Sequence, residues 1–228
     1  GPFPALICVH PEGKQSIVAN DSFISSLLEE GFLVVAADLS GIGEVGESLS
    51  GIKAPFTCLL IGRSLPGFHA GEIVRIAKYI ETRQDVSDGD IGLLAYSYTV
   101  PAALHAAAFE KSLSAIAFIE PLISYESVVT SLYYDTPGWT DIPGILTKYD
   151  LPDLAASLAP RPLLVLSPVD AGLQPVDSQE CKNGYEITTT IYESQRSLNK
   201  LDIRCKSKID DDYDELIVDW LAHELVGK

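Results

Sequence analysis

Apolar runs alternate with stretches of helical periodicity along this chain. Pro4–Val9, Phe32–Ala37, Ile91–Tyr96, Leu113–Ile119, Pro162–Ser167 and Leu201–Cys205 are short and nearly continuous, as expected of strands buried on both faces of a parallel sheet. Between the first two runs, Phe23, Ile24, Leu27 and Leu28 form one face of a helix that Asp21 or Ser22 can cap, with Gly31 at its C′ position. Ile73, Ile76, Ala77 and Ile80 share the face of a second helix, and Gln84–Gly89 turns the chain back toward the next strand. Asp177 to about Gln195 and Asp210–Leu225 read as two later helices, whereas residues 44–66, rich in Gly, Ser and Pro, read as a surface excursion. Strand–helix alternation of this kind predicts a single α/β domain over residues 1–228, with a doubly wound, mostly parallel sheet and ligands at the carboxyl ends of its strands.

Residues 120–160 interrupt the alternation. Tyr125, Tyr133, Tyr134, Trp139 and Tyr149 fall there among several prolines. Two readings fit: a small aromatic-rich cap over a pocket, or an irregular connection packed by its own aromatics.

Charge narrows the function classes. With 32 acidic against 16 basic residues the net charge is -16, which repels phosphate backbones and anionic surfaces, so neither nucleic acid nor membrane is an expected partner. No apolar run approaches the roughly 18 residues of a membrane span. Cys8, Cys58, Cys181 and Cys205 lack C-x-x-C spacing, and buried free thiols are expected rather than a disulfide. No cluster of metal-ligand spacing appears, so neither metal nor cofactor is expected. The spacing of Gly41, Gly43 and Gly46 is not that of a dinucleotide-binding loop.

The chemistry concentrates at Asp90–Glu110, DIGLLAYSYTVPAALHAAAFE, where an apolar run meets Ser97 and an Ala-rich helix follows at once. A serine at a sharp strand-to-helix corner is exposed for attack, and the helix N-terminus behind it favours developing negative charge. The usual elbow is G-x-S-x-G; here the flanking positions are Ala95, which is small, and Thr99, which is β-branched and expected to crowd the turn.

The chain resembles the α/β-hydrolase family, most closely the acetyl-xylan-esterase and dienelactone-hydrolase type. Carrying the resemblance are CVHPEGK after the first strand, ADLSGIGE after the second, GRSLPG, LLAYSYTVPAALHAAA, and the late KYDLPDLAASLAPRPLLVLSPVDA. The first strand would be the family's third, which implies a fragment or a domain of a longer protein with a partner domain. The family's extracytoplasmic members suggest a secreted or periplasmic setting.

By resemblance, Ser97 is the nucleophile, Asp170 the triad acid, and the N–H of Tyr98 with one from His10–Gly13 (Glu12 or Gly13) the oxyanion hole. The family's histidine follows the last strand, here about Lys206–Tyr213, KSKIDDDY, where no histidine occurs. His10 is the one candidate base, at the end of the first strand; His69 and His105 read as helix-packing residues and His223 as a contact at a helix C-terminus. Asp38 and Glu120 follow strands and are candidate pocket residues, although Asp38 can equally cap its own loop. Asp210–Asp212 read as a solvated helix start, with calcium binding the sharper alternative.

Two functions follow. One is a serine carboxylesterase acting on a small-molecule or saccharide ester through an acyl-enzyme on Ser97. The other is a degenerate hydrolase domain that binds a ligand or supports a partner domain.

Overall fold

The structure, a computed structural model, describes residues 2–46, 53–205 and 213–227. Its centre is a six-stranded sheet in the order β2-β1-β3-β4-β5-β6. The strands are β1 (Phe3–Val9), β2 (Leu33–Ala37), β3 (Val86–Tyr96), β4 (Leu113–Ile119), β5 (Leu163–Leu166) and β6 (Leu201–Arg204). Each neighbouring pair is parallel. All six expected strands are therefore present. β3 starts five residues before the apolar run, at Val86, where its first residue pairs with Phe3 of β1.

Alternation along the strands divides the core in two. Ile7, Val9, Leu93, Ala95, Ile116, Phe118 and Val165 face one layer of helices, with Ile73 and Ala77 of α4 (Leu65–Glu81) and Ala103 of α5 (Val100–Phe109). Leu6, Cys8, Leu94, Ala117 and Leu164 face the other layer, with Ile17 of α1 (Lys14–Val18), Phe23 and Leu27 of α2 (Asp21–Glu29), and Leu221 of α10 (Asp214–Leu221). Burial on both sides explains why these strands read as unbroken apolar runs.

Several local expectations are corrected. α2 is capped by Asn20, whose side chain accepts from Phe23 N at 3.2 Å, because a helix N-cap lies one residue before the first helical turn. The excursion at 44–66 contains α3 (Lys53–Leu60). Residues 177–195 form two helices, α8 (Ser178–Gly184) and α9 (Glu186–Ser194), broken at buried Tyr185. Asp210–Asp212 lie outside the described residues.

The connection after β4 holds α6 (Tyr125–Thr130) and α7 (Leu151–Ala156). Its aromatics do not form one cap cluster. Tyr125 is buried, Tyr149 meets His105, Trp139 meets Tyr98, and Tyr133 is 90% exposed.

Cys181 and Cys205 form a disulfide across 24 residues, joining α8 to the end of β6. This overturns the free-thiol expectation for that pair: β6 ends beside the buried Cys181 of α8, with the two Cα atoms 6.2 Å apart. Cys8 is a buried free thiol, and its burial pushes the pKa up to about 12. Removing the bridge by Cys181→Ala is expected to cost about 2–3 kcal/mol through the freed unfolded chain. Denaturant midpoints check this, and unfolded, unreduced wild type should titrate as two thiols; four would contradict the bridge.

Candidate active site

The strand ends form the site. Ser97 has φ 45°, Glu120 φ 51° and Ser167 φ 48°, so three adjacent strands, β3, β4 and β5, each leave the sheet through a non-glycine residue in the left-handed region. Such backbones cost of order 1–3 kcal/mol each and persist where the surroundings over-determine them. Here the surroundings are the next strand: Glu120 N donates to Leu166 O at 2.8 Å and Ser167 N to Arg204 O at 2.9 Å.

At the Ser97 corner, β3 passes directly into a short 3-10 turn (Ser97–Thr99) and then α5. Thr99 does not crowd the turn. Its side chain is buried, and Oγ1 donates to Tyr96 O at 2.7 Å while accepting from Tyr96 N at 3.3 Å, with Val9 O 3.2 Å away. The hydroxyl braces the corner, and fully buried Ala95 fits behind it. Tyr98 stands in the first turn, where N–H groups lack intrahelical acceptors.

Ser97, Tyr98 and Glu120 line one narrow crevice together with Pro101, Leu122, Thr136, Thr140, Val169 and Leu173. The latter six were not legible as site residues; all but Pro101 come from irregular segments with no periodic signal. Among the described residues the Ser97 hydroxyl has no hydrogen-bond partner. Burial raises the Tyr98 phenol pKa, with Asp135 and Glu120 adding to the shift.

The other candidate residues are engaged elsewhere. Asp170 follows Val169 of the crevice, but its Oδ1 accepts from Gln174 N at 2.9 Å and closes its own turn. His10 lies against Tyr96, with ring centroids 5.1 Å apart, and its Nδ1 accepts from Glu12 N at 3.1 Å. That bond takes the Glu12 N–H, and Gly13 N donates to His10 O at 2.9 Å, so both proposed loop donors of the oxyanion hole have partners. Burial lowers the His10 pKa against the opposing charge of Glu12. Asp38 accepts from Lys14 N at 2.6 Å and Glu44 N at 3.1 Å, fastening the loop after β1 to the loop after β2. Burial opposes its charged form, but these N–H groups and Lys14 outweigh it and lower the pKa. Asp38 is therefore a clamp of its loops and lines no part of the crevice.

The remaining histidines are structural. His69 donates from Nε2 to Ser40 O at 2.7 Å, and Ser40 is also bound through its N–H and hydroxyl by Glu72. His105 donates from Nδ1 to Pro101 O at 2.6 Å, and its Nε2 meets the Tyr149 hydroxyl at 3.0 Å, while burial lowers its pKa. His223 meets Glu224 at 3.0 Å, on the closing helical segment. The family's histidine position, Lys206–Tyr213, lies outside the described residues except for Tyr213, whose hydroxyl bonds Ser167.

A pH dependence follows from burial of neutral rings. The folded pKa values of His10, His69 and His105 lie below the ordinary 6.5, so the unfolded chain binds protons first on acidification. Stability should be level above about pH 7 and decline as pH falls through 6.5 toward the folded values. Melting temperatures between pH 7.5 and 5.5 check this. The slope should flatten in His105→Gln; an unchanged slope would contradict the assignment.

No family model matches the chain. No curated protein matches it in sequence either. Among solved structures, it is similar to a Bacteroides fragilis NCTC 9343 protein designated an acetyl xylan esterase. The TM-score is 0.75 at 16% identity, over 92% of this chain and 60% of that one. A methylesterase matches with TM-score 0.69 and 18% identity over 98% of this chain and 49% of that one. A glucuronoyl esterase from Teredinibacter turnerae T7901 matches with TM-score 0.60 and 16% identity over 97% and 66%. At these identities the likeness is one of fold: the chain has the α/β-hydrolase fold. It spans 60% and 49% of the length of the first two structures.

Proposed function

We propose that this chain is an esterase-type α/β-hydrolase domain that keeps the nucleophile corner at Ser97 but holds no general base of its own. By itself it would bind ester or acyl ligands rather than turn them over. The observation that carries this reading is the placement of the histidines. His69, His105 and His223 are bound to Ser40, Pro101 with Tyr149, and Glu224; His10 is held by Glu12 N and lies on Tyr96. The segment where the family keeps its base reads KSKIDDDY. Without a base, a serine hydroxyl is a weak nucleophile at neutral pH. The names of the structural neighbours point to carbohydrate esters as the ligand class.

The experiment is hydrolysis of p-nitrophenyl acetate by wild type and Ser97→Ala. Equal background rates are expected. A fall of tenfold or more in Ser97→Ala, with the fold retained by circular dichroism, would overturn the reading.

A second reading has its own support: the left-handed φ of 45° at Ser97 is the strained backbone a working elbow uses. In that case a residue from the remainder of a longer polypeptide would complete the triad, and the domain would be one part of a carbohydrate esterase acting through an acyl-enzyme.

A further inference from the structure

Besides the Ser97 crevice there is a second cavity, of about 670 Å³. Trp139 lines this cavity and Tyr98 lines the crevice, and their rings meet edge to face with centroids 5.9 Å apart. This volume falls in the range of small-molecule sites, roughly 300–1,000 Å³. The lining is dominated by Trp139, Tyr125 and Tyr134 with the aliphatic side chains of Leu59, Val128 and Ile142.

The polar groups define what can enter. Ser64 Oγ already accepts from Gly67 N as the cap of α4, and Thr147 donates to Gly144 O. Ser131, Tyr134 and Trp139 add neutral polar groups to the lining, none of which carries a charge to match a ligand's. Asp141 is different. It lines the cavity and, among the described residues, makes no hydrogen bond or ion pair. Partial burial, with no compensating partner, raises its pKa. Among the described residues no Lys, Arg or His side chain lines this cavity.

We propose that the cavity binds a small aromatic amine, its ring between the aromatic and aliphatic walls and its ammonium paired with Asp141. The aromatic faces reinforce this choice through cation–π attraction, and the net charge of -16 raises the local concentration of cations. The site is independent of the Ser97 reading, since no step of it uses the crevice.

The test is isothermal titration of the full chain at pH 7 with three probes of one shape: 1-naphthylmethylamine, 1-naphthalenemethanol and 1-naphthoate. The amine should bind, the alcohol about tenfold more weakly, and the carboxylate weakest. Asp141→Asn should remove the preference for the amine over the alcohol, and Trp139→Ala should weaken both by about tenfold. Asp141 is exposed enough that its near-isosteric Asn variant keeps the fold, which melting temperature verifies. Absence of amine binding at millimolar concentration, an unchanged preference in Asp141→Asn, or carboxylate binding as tight as the amine would each overturn the proposal. So would xylobiose competing for the same site.

Discussion

Arg161→Ala is expected to lower stability by roughly 4 kcal/mol, because Arg161 ties down the end of the helix behind Ser97. The guanidinium donates to Ala107 O at 2.6 Å, Glu110 O at 3.1 Å and Leu113 O at 2.8 Å. Two of these carbonyls belong to the C-terminal end of α5, and the third opens β4. Helix ends leave carbonyl groups without partners and concentrate partial negative charge there, so a half-buried cation with several donors satisfies both demands. Truncation removes three charge-assisted hydrogen bonds and strands their acceptors in a half-buried place. At roughly 2–4 °C per kcal/mol for a chain of this size, the melting temperature should fall by roughly 8–16 °C. Arg161→Lys should recover only part of this, because an ammonium cannot reproduce the fork. A fall of less than a few degrees in the alanine variant would show that the carbonyls find other partners.

Gly13→Ala is expected to cost nearly as much, also roughly 4 kcal/mol, from backbone strain plus overpacking. Gly13 has φ 89° and ψ 178°, a region open essentially to glycine alone. A Cβ there would stand 2.7 Å from both Asp38 Oδ1 and Gly43 Cα. The side chain of Asp38 could turn away, but it would then release Lys14 N and Glu44 N, and Gly43 Cα is backbone that cannot yield without moving the loop. The substitution therefore unfastens the loops after β1 and β2 from each other. Chemical denaturation checks the magnitude. Asp38→Asn, which keeps the shape and loses the charge, should be milder; equal stability of Gly13→Ala and wild type would contradict the close approach.

The strands were legible because both faces of this sheet are covered, so every strand is an apolar run and needs no alternation to be seen. The Ser97 corner was legible for the same reason: an apolar run ends on a hydroxyl and an Ala-rich helix begins. What the sequence hid depends on long-range placement. Thr99 reads as a steric conflict until Tyr96 and Val9 supply carbonyl groups for its hydroxyl. Arg161, between Pro160 and Pro162, carries no periodic signal, and its partners lie about fifty residues earlier in the chain. Cys181 and Cys205 pair only because β6 ends beside α8. Tyr133, Trp139 and Tyr149 are close in sequence, yet Tyr133 is exposed, Tyr149 meets His105 and Trp139 lines a cavity with Tyr134, because an irregular segment imposes no common face.

The same distinction governs the site. Ser97, Tyr98 and Glu120 come together because they sit at the ends of neighbouring strands β3 and β4, a relation the strand order predicts. His10 also ends a strand beside β3, yet its ring is claimed by Glu12 N and by Tyr96. Position at the sheet edge was readable from the residues; the engagement of each polar atom was not.

The most direct test of the missing base is reaction of the folded chain with a fluorophosphonate probe, followed by mapping of any modified residue. An activated serine reacts with such a probe through its base. The expected result is no modification of Ser97 under conditions that label an active serine hydrolase to completion. Stoichiometric labelling at Ser97 would contradict the account, because it would require a base within this chain.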